Sequence, residues 1–296
     1  MSTAIEVDRL TVRYGRKTAV ENVTITVPQG SVHALLGRNG AGKSSLVRCL
    51  LGQQKPTSGG VQLFGRDVWR DRACLMERVG VVSEDADAPP EMSVASIARF
   101  CSRLYARWDQ AAVDARLKRF GVAPEARFGT LSKGQKKQVS LALALAIMPD
   151  LIVLDDPTLG LDVVARKAFF EEVIGELADR GITVLLTTHD LGDIERLCER
   201  LLVIDHGSLI WDGRIAELRV RYGDERTLVV DLEEPAPPLR VEGARVERVE
   251  GPRQWLRFRG PAAELTARVA AAAQVVDLQI AEPDIEEIVR RIYTGK

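Results

Sequence analysis

One short segment constrains the fold of this chain more than any other. It follows the compact apolar run 31–36, precedes a helix-like stretch at 43–51, and reads Gly37-Arg38-Asn39-Gly40-Ala41-Gly42-Lys43-Ser44. This spacing is G-x-x-x-x-G-K-[ST], in which glycines let backbone N–H groups curl around phosphate oxygens and the following helix adds its positive N-terminal end. The sequence therefore predicts a phosphate-binding loop between a buried strand and a helix.

Each polar residue of this loop has a predicted role. Lys43 is expected to reach the β- and γ-phosphates of a nucleotide, and the hydroxyl of Ser44 is expected to bind Mg²⁺. Ser45 follows directly and is assigned to the same nucleotide site. A glycine-rich turn without a ligand is the alternative interpretation, and the strand before and helix after the loop count against it.

A second segment ends in two adjacent carboxylates. Residues 151–154 are all aliphatic and are followed by Asp155 and Asp156. A buried strand would place Asp155 at its C-terminal tip, where ligands of open α/β sheets bind, so that Asp155 can hold Mg²⁺ and Asp156 can face an attacking water. Two acids in a solvated turn are the simpler alternative. The presence of a phosphate loop in the same chain favours the functional interpretation over this alternative.

The order of predicted elements indicates an α/β fold. Strands predicted at 31–36, 79–82, 151–155 and 183–187 alternate with helices, which is typical of a mainly parallel sheet. A mostly helical block occupies about 90–148, with helices predicted at 93–108, 110–120 and 132–147. A polar break at 223–226 separates residues 1–222 from a small α+β appendage at 225–296. Further helices are predicted at 191–198 and 283–293.

Composition narrows the possible functions. The formal net charge is −1, which gives no reason to expect nucleic-acid binding. The four cysteines form no C-x-x-C pair, so a reducing compartment is expected. No apolar run approaches the roughly 20 residues of a membrane-spanning helix, and the first residues lack the features of a signal peptide. Any membrane role is therefore expected to use a separate partner.

With these features in place, the run Leu131-Ser132-Lys133-Gly134-Gln135 resembles the L-S-G-G-Q signature of the ABC (ATP-binding cassette) ATPase family. It lies between the phosphate loop and the acid pair, where that family has it, and the resemblance covers about residues 5–222. As the start of a helix, Ser132 and Gly134 would offer hydrogen bonds to an anion. Ser132 can also be a plain helix cap, and the two roles are compatible.

Other positions resemble landmarks of the same family. Leu159-Gly160-Leu161-Asp162 is similar to its D-loop, His189 to its switch histidine, and Glu84 occupies the Q-loop position. Tyr14 resembles the aromatic residue that stacks on adenine, although a tyrosine that simply ends a strand is the alternative. The resemblance implies a P-loop NTPase fold with a mixed sheet core, a helical subdomain and an N-terminal antiparallel sheet. It also implies ATP and Mg²⁺ as cofactors, with Ser44, Glu84 and Asp155 at the metal.

Two departures from the family pattern concern hydrolysis. The family has glutamate where this chain has Asp156, and glutamine where it has Glu84. One methylene less moves a carboxylate by roughly an ångström, and such a misplacement can cost on the order of 10²-fold in rate. Slow hydrolysis, or different positioning of the attacking water, is the resulting hypothesis.

The resemblance also implies an assembly. Two family subunits meet head to tail around two Mg·ATP, so that each nucleotide contacts one chain's Lys43 and His189 and the other chain's Ser132. A homodimer is favoured and a heterodimer is possible.

A separate transmembrane permease at the cytoplasmic face is expected, and ABC-2-type exporters are the most similar class. A soluble ABC ATPase acting on ribosomes, DNA or Fe–S assembly is the alternative, and a regulatory module is a third. In the family, transporter subunits dock on the helical block at 93–120, and a place in that docking groove is one interpretation of Phe100, Tyr105 and Trp108. Core positions are the favoured prediction for these three residues.

Overall fold

The structure, a computed structural model, describes residues 2–85, 87–188, 197–222 and 225–281, and the single positions 192, 194, 288, 289, 292 and 293. The chain divides into two compact units, Met1–Asp212 and Gly213–Lys296. The boundary predicted from sequence, after residue 222, lies C-terminal to the observed boundary after Asp212. The difference arises because the helix at Ile215–Tyr222 belongs to the second unit. Within the described residues no helix is both long and apolar enough to cross a membrane.

The first unit begins with an antiparallel sheet. Its strands are β1 (Thr3–Tyr14), β2 (Lys17–Pro28), β4 (Ser58–Leu63) and β5 (Arg66–Asp67), in the order β2-β1-β4-β5. The turn between β1 and β2 is short, and Tyr14 pairs with Lys17 across it. The alternation of apolar and polar residues at 5–14 and 23–27 predicts β1 and part of β2. Strands β4 and β5 were not predicted.

A larger sheet forms the centre of the first unit. In the described chain its order is β10-β9-β3-β8-β7-β6, where β3 is Val32–Leu36, β6 Val79–Val82, β7 Leu151–Asp155, β8 Thr183–Thr188, β9 Arg200–Asp205 and β10 Ser208–Arg214. Strands β9, β3, β8, β7 and β6 pair in parallel with one another, in that order, which confirms the predicted α/β core. Because carboxyl ends of parallel strands share one edge, the segments that follow β3, β6 and β7 meet there.

Six helices accompany this sheet. They are α1 (Lys43–Leu50), α2 (Arg72–Met76), α3 (Val94–Ser102), α4 (Gln110–Arg119), α5 (Lys133–Ala146) and α6 (Val163–Arg180), counted over the described residues. The helix predicted at 93–108 is therefore too long. Its last turn tightens, because Arg103 and Leu104 donate backbone hydrogen bonds to Phe100 and Cys101, three residues back, instead of four.

The prediction of core positions for three aromatic residues was wrong. Phe100 is 58% exposed, and Tyr105 and Trp108 are half-buried. The buried face of α3 carries Val94, Ile97 and Ala98. Phe100 lies outside that stripe, while Tyr105 and Trp108 follow the end of the helix.

Buried ion pairs join α4 to α6. Glu172, whose side chain is only 5% exposed, accepts hydrogen bonds from Arg116 (3.1 Å) and from Arg119. Arg116 also pairs with Glu176. These contacts attach α4 of the helical block to α6, the helix that follows Asp162 in the sequence.

We expect Glu172→Gln to destabilise the protein by about 3 kcal/mol, because removing one partner leaves the buried Arg116 incompletely compensated. Denaturant unfolding measures the change. Glu171→Gln is the matched control: Glu171 is adjacent, exposed and paired only loosely with Lys167 at 3.7 Å, so its effect should stay below about 0.5 kcal/mol. Equal effects of the two variants would show that the ion pairs of Glu172 contribute no more to the free energy of unfolding than the exposed pair of Glu171.

The second unit contains an antiparallel sheet in the order β12-β13-β11-β14. Its elements are α7 (Ile215–Tyr222), β11 (Glu225–Leu232), β12 (Ala244–Glu250), β13 (Arg253–Arg259), α8 (Ala262–Ala272) and β14 (Val275–Ala281). Glu225 and Arg226 were predicted in a polar break, yet they begin β11, where Glu225 pairs with Arg259 at 3.0 Å. Most of the helices predicted at 191–198 and 283–293 lies outside the described residues.

Candidate functional site

The phosphate loop connects β3 to α1, and its backbone is crowded from behind. A Cβ on Gly37 would come within 2.7 Å of the Ile204 carbonyl oxygen. Gly42 has φ 112°, and a Cβ there would meet the Ala19 carbonyl oxygen at 2.3 Å. A side chain at Gly37 would push the loop away from β9 and one at Gly42 would push it away from β2, so packing requires glycine at both positions. At Gly42 the positive φ also requires glycine.

Lys43 lies across this loop. It is 7% exposed, and its ammonium group donates to the carbonyl oxygens of Gly37 (2.6 Å) and Arg38 (3.4 Å). Lys43 is also the first residue of α1, whose leading backbone N–H groups have no partner within the helix. The loop thus combines a positive helix end with an ammonium group, which is a suitable environment for phosphate.

A cavity of about 640 Å³ opens in front of the loop, a size typical of small-molecule sites. Its lining comprises three cationic residues, two carboxylates and mostly small or polar residues: Tyr14, Lys17, Ala19, Gly37, Arg38, Asn39, Gly40, Gly42, Lys43, Ser44, Ser45, Glu84, Asp156 and Leu159. The structure therefore brings Tyr14, the loop, Glu84 and Asp156 together, as the sequence predicted.

Three lining residues were not predicted, namely Lys17, Ala19 and Leu159. Lys17 pairs with Tyr14 across the β1–β2 turn, so its position could have been inferred from that hairpin. Leu159 follows the acid pair in the D-loop run. Of the predicted loop residues, Ala41 is 3% exposed and lies outside the lining.

Tyr14 is held at its hydroxyl end. The hydroxyl donates to Gln54 Oε1 at 2.5 Å and lies 3.3 Å from Ser45 Oγ. The hydrogen bond with Ser45 makes the largest contribution to lowering the pKa of Tyr14. The side chain is 46% exposed, so the ring is anchored at one end and accessible to a planar group.

The two acids after β7 have different surroundings. Asp155 accepts a hydrogen bond from the Thr187 hydroxyl and is absent from the described lining of the cavity. Asp156 contributes to that lining and has φ 41°, a left-handed conformation that aspartate tolerates better than most residues. Its N–H donates to the Thr187 carbonyl oxygen at 3.0 Å.

The signature segment lies at the N-terminus of α5. Ser132 caps that helix by accepting from the Gln135 N–H (3.1 Å), and the Gln135 side chain accepts from the Ser132 N–H (3.1 Å). This is a capping box. Gly134 packs against the D-loop, since a Cβ there would lie 3.3 Å from Leu161. Asp162 caps α6 by accepting from the Ala165 N–H at 2.8 Å.

None of Ser132, Gly134, Gln135 and Asp162 belongs to the described lining of the cavity. A single chain therefore does not bring the signature segment to its own phosphate loop. His189, the predicted switch histidine, lies outside the described residues.

The residues present fit a magnesium–nucleotide complex. The cavity lining combines the phosphate loop and Lys43 with the accessible ring of Tyr14. Within the part of the chain that is described, no three His, Cys, Asp or Glu side chains converge as a complete metal site. Mg²⁺ in proteins usually takes one or two carboxylates and completes its shell with phosphates and water. Ser44, Glu84 and Asp155 can supply such a partial set.

Comparison with known proteins supports this interpretation. A family profile described as ABC transporter matches residues 20–159. The chain is 36% identical over 233 residues to the daunorubicin resistance ATP-binding protein DrrA3 of Streptomyces coeruleorubidus, covering 77% of this chain and 73% of that protein. It is 39% identical to a Nod factor export ATP-binding protein I of Paraburkholderia xenovorans (71% and 70% covered) and 32% identical to the bacitracin transport ATP-binding protein BcrA of Bacillus licheniformis (73% and 70%).

Solved structures give the same fold. A structure described as an ATP-binding subunit of an ABC transporter superimposes with a TM-score of 0.69 at 27% identity, covering 74% of this chain and 93% of that chain. A dimeric bacterial ABC transporter cassette, at 22% identity and a TM-score of 0.64, shares the fold. With the loop, the acid pair and the signature helix in place, the chain belongs to the ABC transporter family, as an ATP-binding subunit that hydrolyses ATP.

Proposed function

We propose that two copies of this chain close head to tail around two Mg·ATP, and that hydrolysis reopens the pair. The observation that carries this proposal is the separation of two anion-binding features. Lys43 and the phosphate loop line the cavity, whereas Ser132 and the N-terminus of α5 lie outside its described lining. A second copy can supply the missing signature segment, so the γ-phosphate would join both chains. The closed state is then stabilised by contacts that hydrolysis removes.

Each residue of the site has a proposed part in hydrolysis. Lys43 leaves the loop carbonyls to bind the β- and γ-phosphates, and Tyr14 stacks on adenine. Asp156 orients the attacking water, and His189 contacts the γ-phosphate. Ser44, Glu84 and Asp155 would hold Mg²⁺, which would supply charge neutralisation at the phosphates when bound. Asp162 belongs to the D-loop at the dimer contact.

We further propose that the pair drives a separate transmembrane permease from the cytoplasmic face, in an export-type transporter. The relatives named for drug resistance, bacitracin transport and Nod factor export support the exporter class. Phe100 (58% exposed) and Leu104 (60%) offer an apolar surface on the helical block where such a partner could dock. The accessory domain proposed at about 225–296 falls within the second unit and has no assigned role.

The shorter carboxylate at position 156 leads to a prediction. We expect Asp156→Glu to raise kcat by roughly 10- to 100-fold, because the longer side chain can approach the attacking water more closely. Steady-state ATP hydrolysis at saturating Mg·ATP measures the change, and ATP affinity should change little. A kcat equal to that of the unmodified protein would show that Asp156 is already well placed.

The test of the proposed function combines two measurements. The purified chain should hydrolyse ATP in a Mg²⁺-dependent manner, and a tagged chain expressed in its own host should co-purify with a multi-pass membrane protein. Co-purification with ribosomes or DNA, and with no membrane protein, would instead support a soluble ABC ATPase.

A further inference from the structure

The signature helix, α5, also carries a buried lysine that lies outside the described lining of the cavity. Lys137 lies one turn into α5 and is fully buried. Its ammonium group donates to the Ser83 carbonyl oxygen at 2.7 Å and to the Asp156 carbonyl oxygen at 3.3 Å. Burial of an ammonium group costs free energy unless the group is hydrogen-bonded, so these two contacts stabilise the Lys137 side chain in this position.

The two acceptors occupy equivalent places on neighbouring strands. Ser83 directly follows β6 and precedes Glu84, and Asp156 directly follows β7. Strands β6 and β7 are parallel partners, with Val82 opposite Leu154. Lys137 therefore cross-links, from α5, the two segments that present Glu84 and Asp156 to the cavity.

Asp156 depends on such support because of its backbone. Its φ of 41° is a sparsely populated conformation, which persists only where the surroundings hold it. The N–H of Asp156 donates to the carbonyl oxygen of Thr187 in β8 at 3.0 Å, and the carbonyl oxygen of Asp156 accepts from the Lys137 ammonium group. The short aspartate side chain has little freedom to correct a displaced backbone, so the direction of the carboxylate follows the turn.

Several charged groups surround the Lys137 ammonium group. Burial lowers the pKa of Lys137 to about 8 and Lys133 acts in the same direction, while Asp155, Glu84 and Asp85 oppose the shift. Because the three carboxylates and Lys133 come from the strand ends and from α5, Lys137 faces charges from every segment that it links.

We propose that Lys137 is a positioning residue for hydrolysis, which fixes the turn carrying Asp156 and ties this turn and the Glu84 segment to the signature helix. The proposal rests on the proposed function, in which Asp156 orients the attacking water. It also gives a route by which a movement of α5 at the dimer contact would change the carboxylate in the same chain.

The test compares Lys137→Met with Lys136→Met in the full-length chain. Lys136 is the neighbouring lysine, is only half-buried, and places its ammonium group over the Phe128 ring at 5.5 Å. We expect Lys137→Met to lower kcat by roughly 10- to 100-fold, with the Kd for Mg·ATP within about threefold of the unmodified protein. Lys136→Met should leave both nearly unchanged, and Lys137→Arg should lie between Lys137→Met and the unmodified protein in kcat.

A second readout is independent of hydrolysis. Amide hydrogen exchange in residues 155–161 should become roughly tenfold faster in Lys137→Met, and exchange in α4 should not change. Unchanged kcat, or a parallel loss of kcat and ATP affinity, would overturn the proposal. If Lys137→Met does not fold, normal kcat and normal exchange in Lys137→Arg would overturn it. If the unmodified chain lacks ATPase activity, the proposed function fails, and the exchange experiment still decides whether Lys137 holds the turn.

Discussion

Replacing Lys43 with alanine should weaken the binding of Mg·ATP by on the order of 100-fold. Lys43 lines the cavity, and its ammonium group lies 2.6 Å from the Gly37 carbonyl oxygen of the loop. Hydrogen bonds to charged groups contribute about 1.5–3 kcal/mol each, and 1.4 kcal/mol corresponds to a factor of ten. Two lost contacts to phosphate would therefore produce an effect of this size. Titration with a fluorescent ATP analogue measures it.

Two controls separate this effect from a general loss of positive charge. Lys118→Ala removes an exposed lysine of α4 and should leave the affinity within about twofold. AMP, which lacks the β- and γ-phosphates, should bind Lys43→Ala and the unmodified protein equally. Full ATP affinity in Lys43→Ala would mean that the loop does not bind the phosphates.

Replacing Asp156 with asparagine should lower kcat by at least about 100-fold, with the affinity for Mg·ATP nearly unchanged. A group that orients or deprotonates the attacking water typically contributes 10²- to 10⁴-fold to the rate. Asparagine has nearly the same size and tolerates the left-handed backbone of this position, so the turn should keep its shape. Single-turnover measurement of phosphate release determines the rate.

The matched control for this prediction is Asp109→Asn. Asp109 caps α4 by accepting from the Ala112 N–H at 2.9 Å, and it lies outside the described lining of the cavity. Asparagine is an equally good cap, so the hydrolysis rate of this variant should change much less. A rate for Asp156→Asn close to that of the unmodified protein would mean that another group orients the water.

The sequence predicts this site well because its parts are local. The phosphate loop, the acid pair and the signature are each contiguous runs whose neighbouring strand or helix follows from periodicity. Parallel strands then bring the ends of β3, β6 and β7 to one edge, so Lys43, Glu84 and Asp156 come together without any detailed knowledge of packing.

Contacts between distant segments were beyond the reach of the sequence. In the sequence, Lys137 is one of several lysines near the beginning of a helix, and nothing distinguishes it from the others. Only the tertiary structure shows that its ammonium group lies between the carbonyl oxygens of Ser83 and Asp156. Phe100 reads as a core aromatic, yet its place on α3 is decided by where the buried stripe falls. Glu225 and Arg226 look like a polar break, because cross-strand ion pairs are not visible in a linear pattern.

The most direct measurement of the central claim is the mass of the Asp156→Asn variant in solution with and without Mg·ATP. Sedimentation velocity at several protein concentrations provides this mass. The account predicts a monomer without nucleotide and a dimer with Mg·ATP, and it predicts that Mg·ADP does not support the dimer. An Asp156→Asn protein that binds Mg·ATP and yet remains monomeric at every concentration would contradict it.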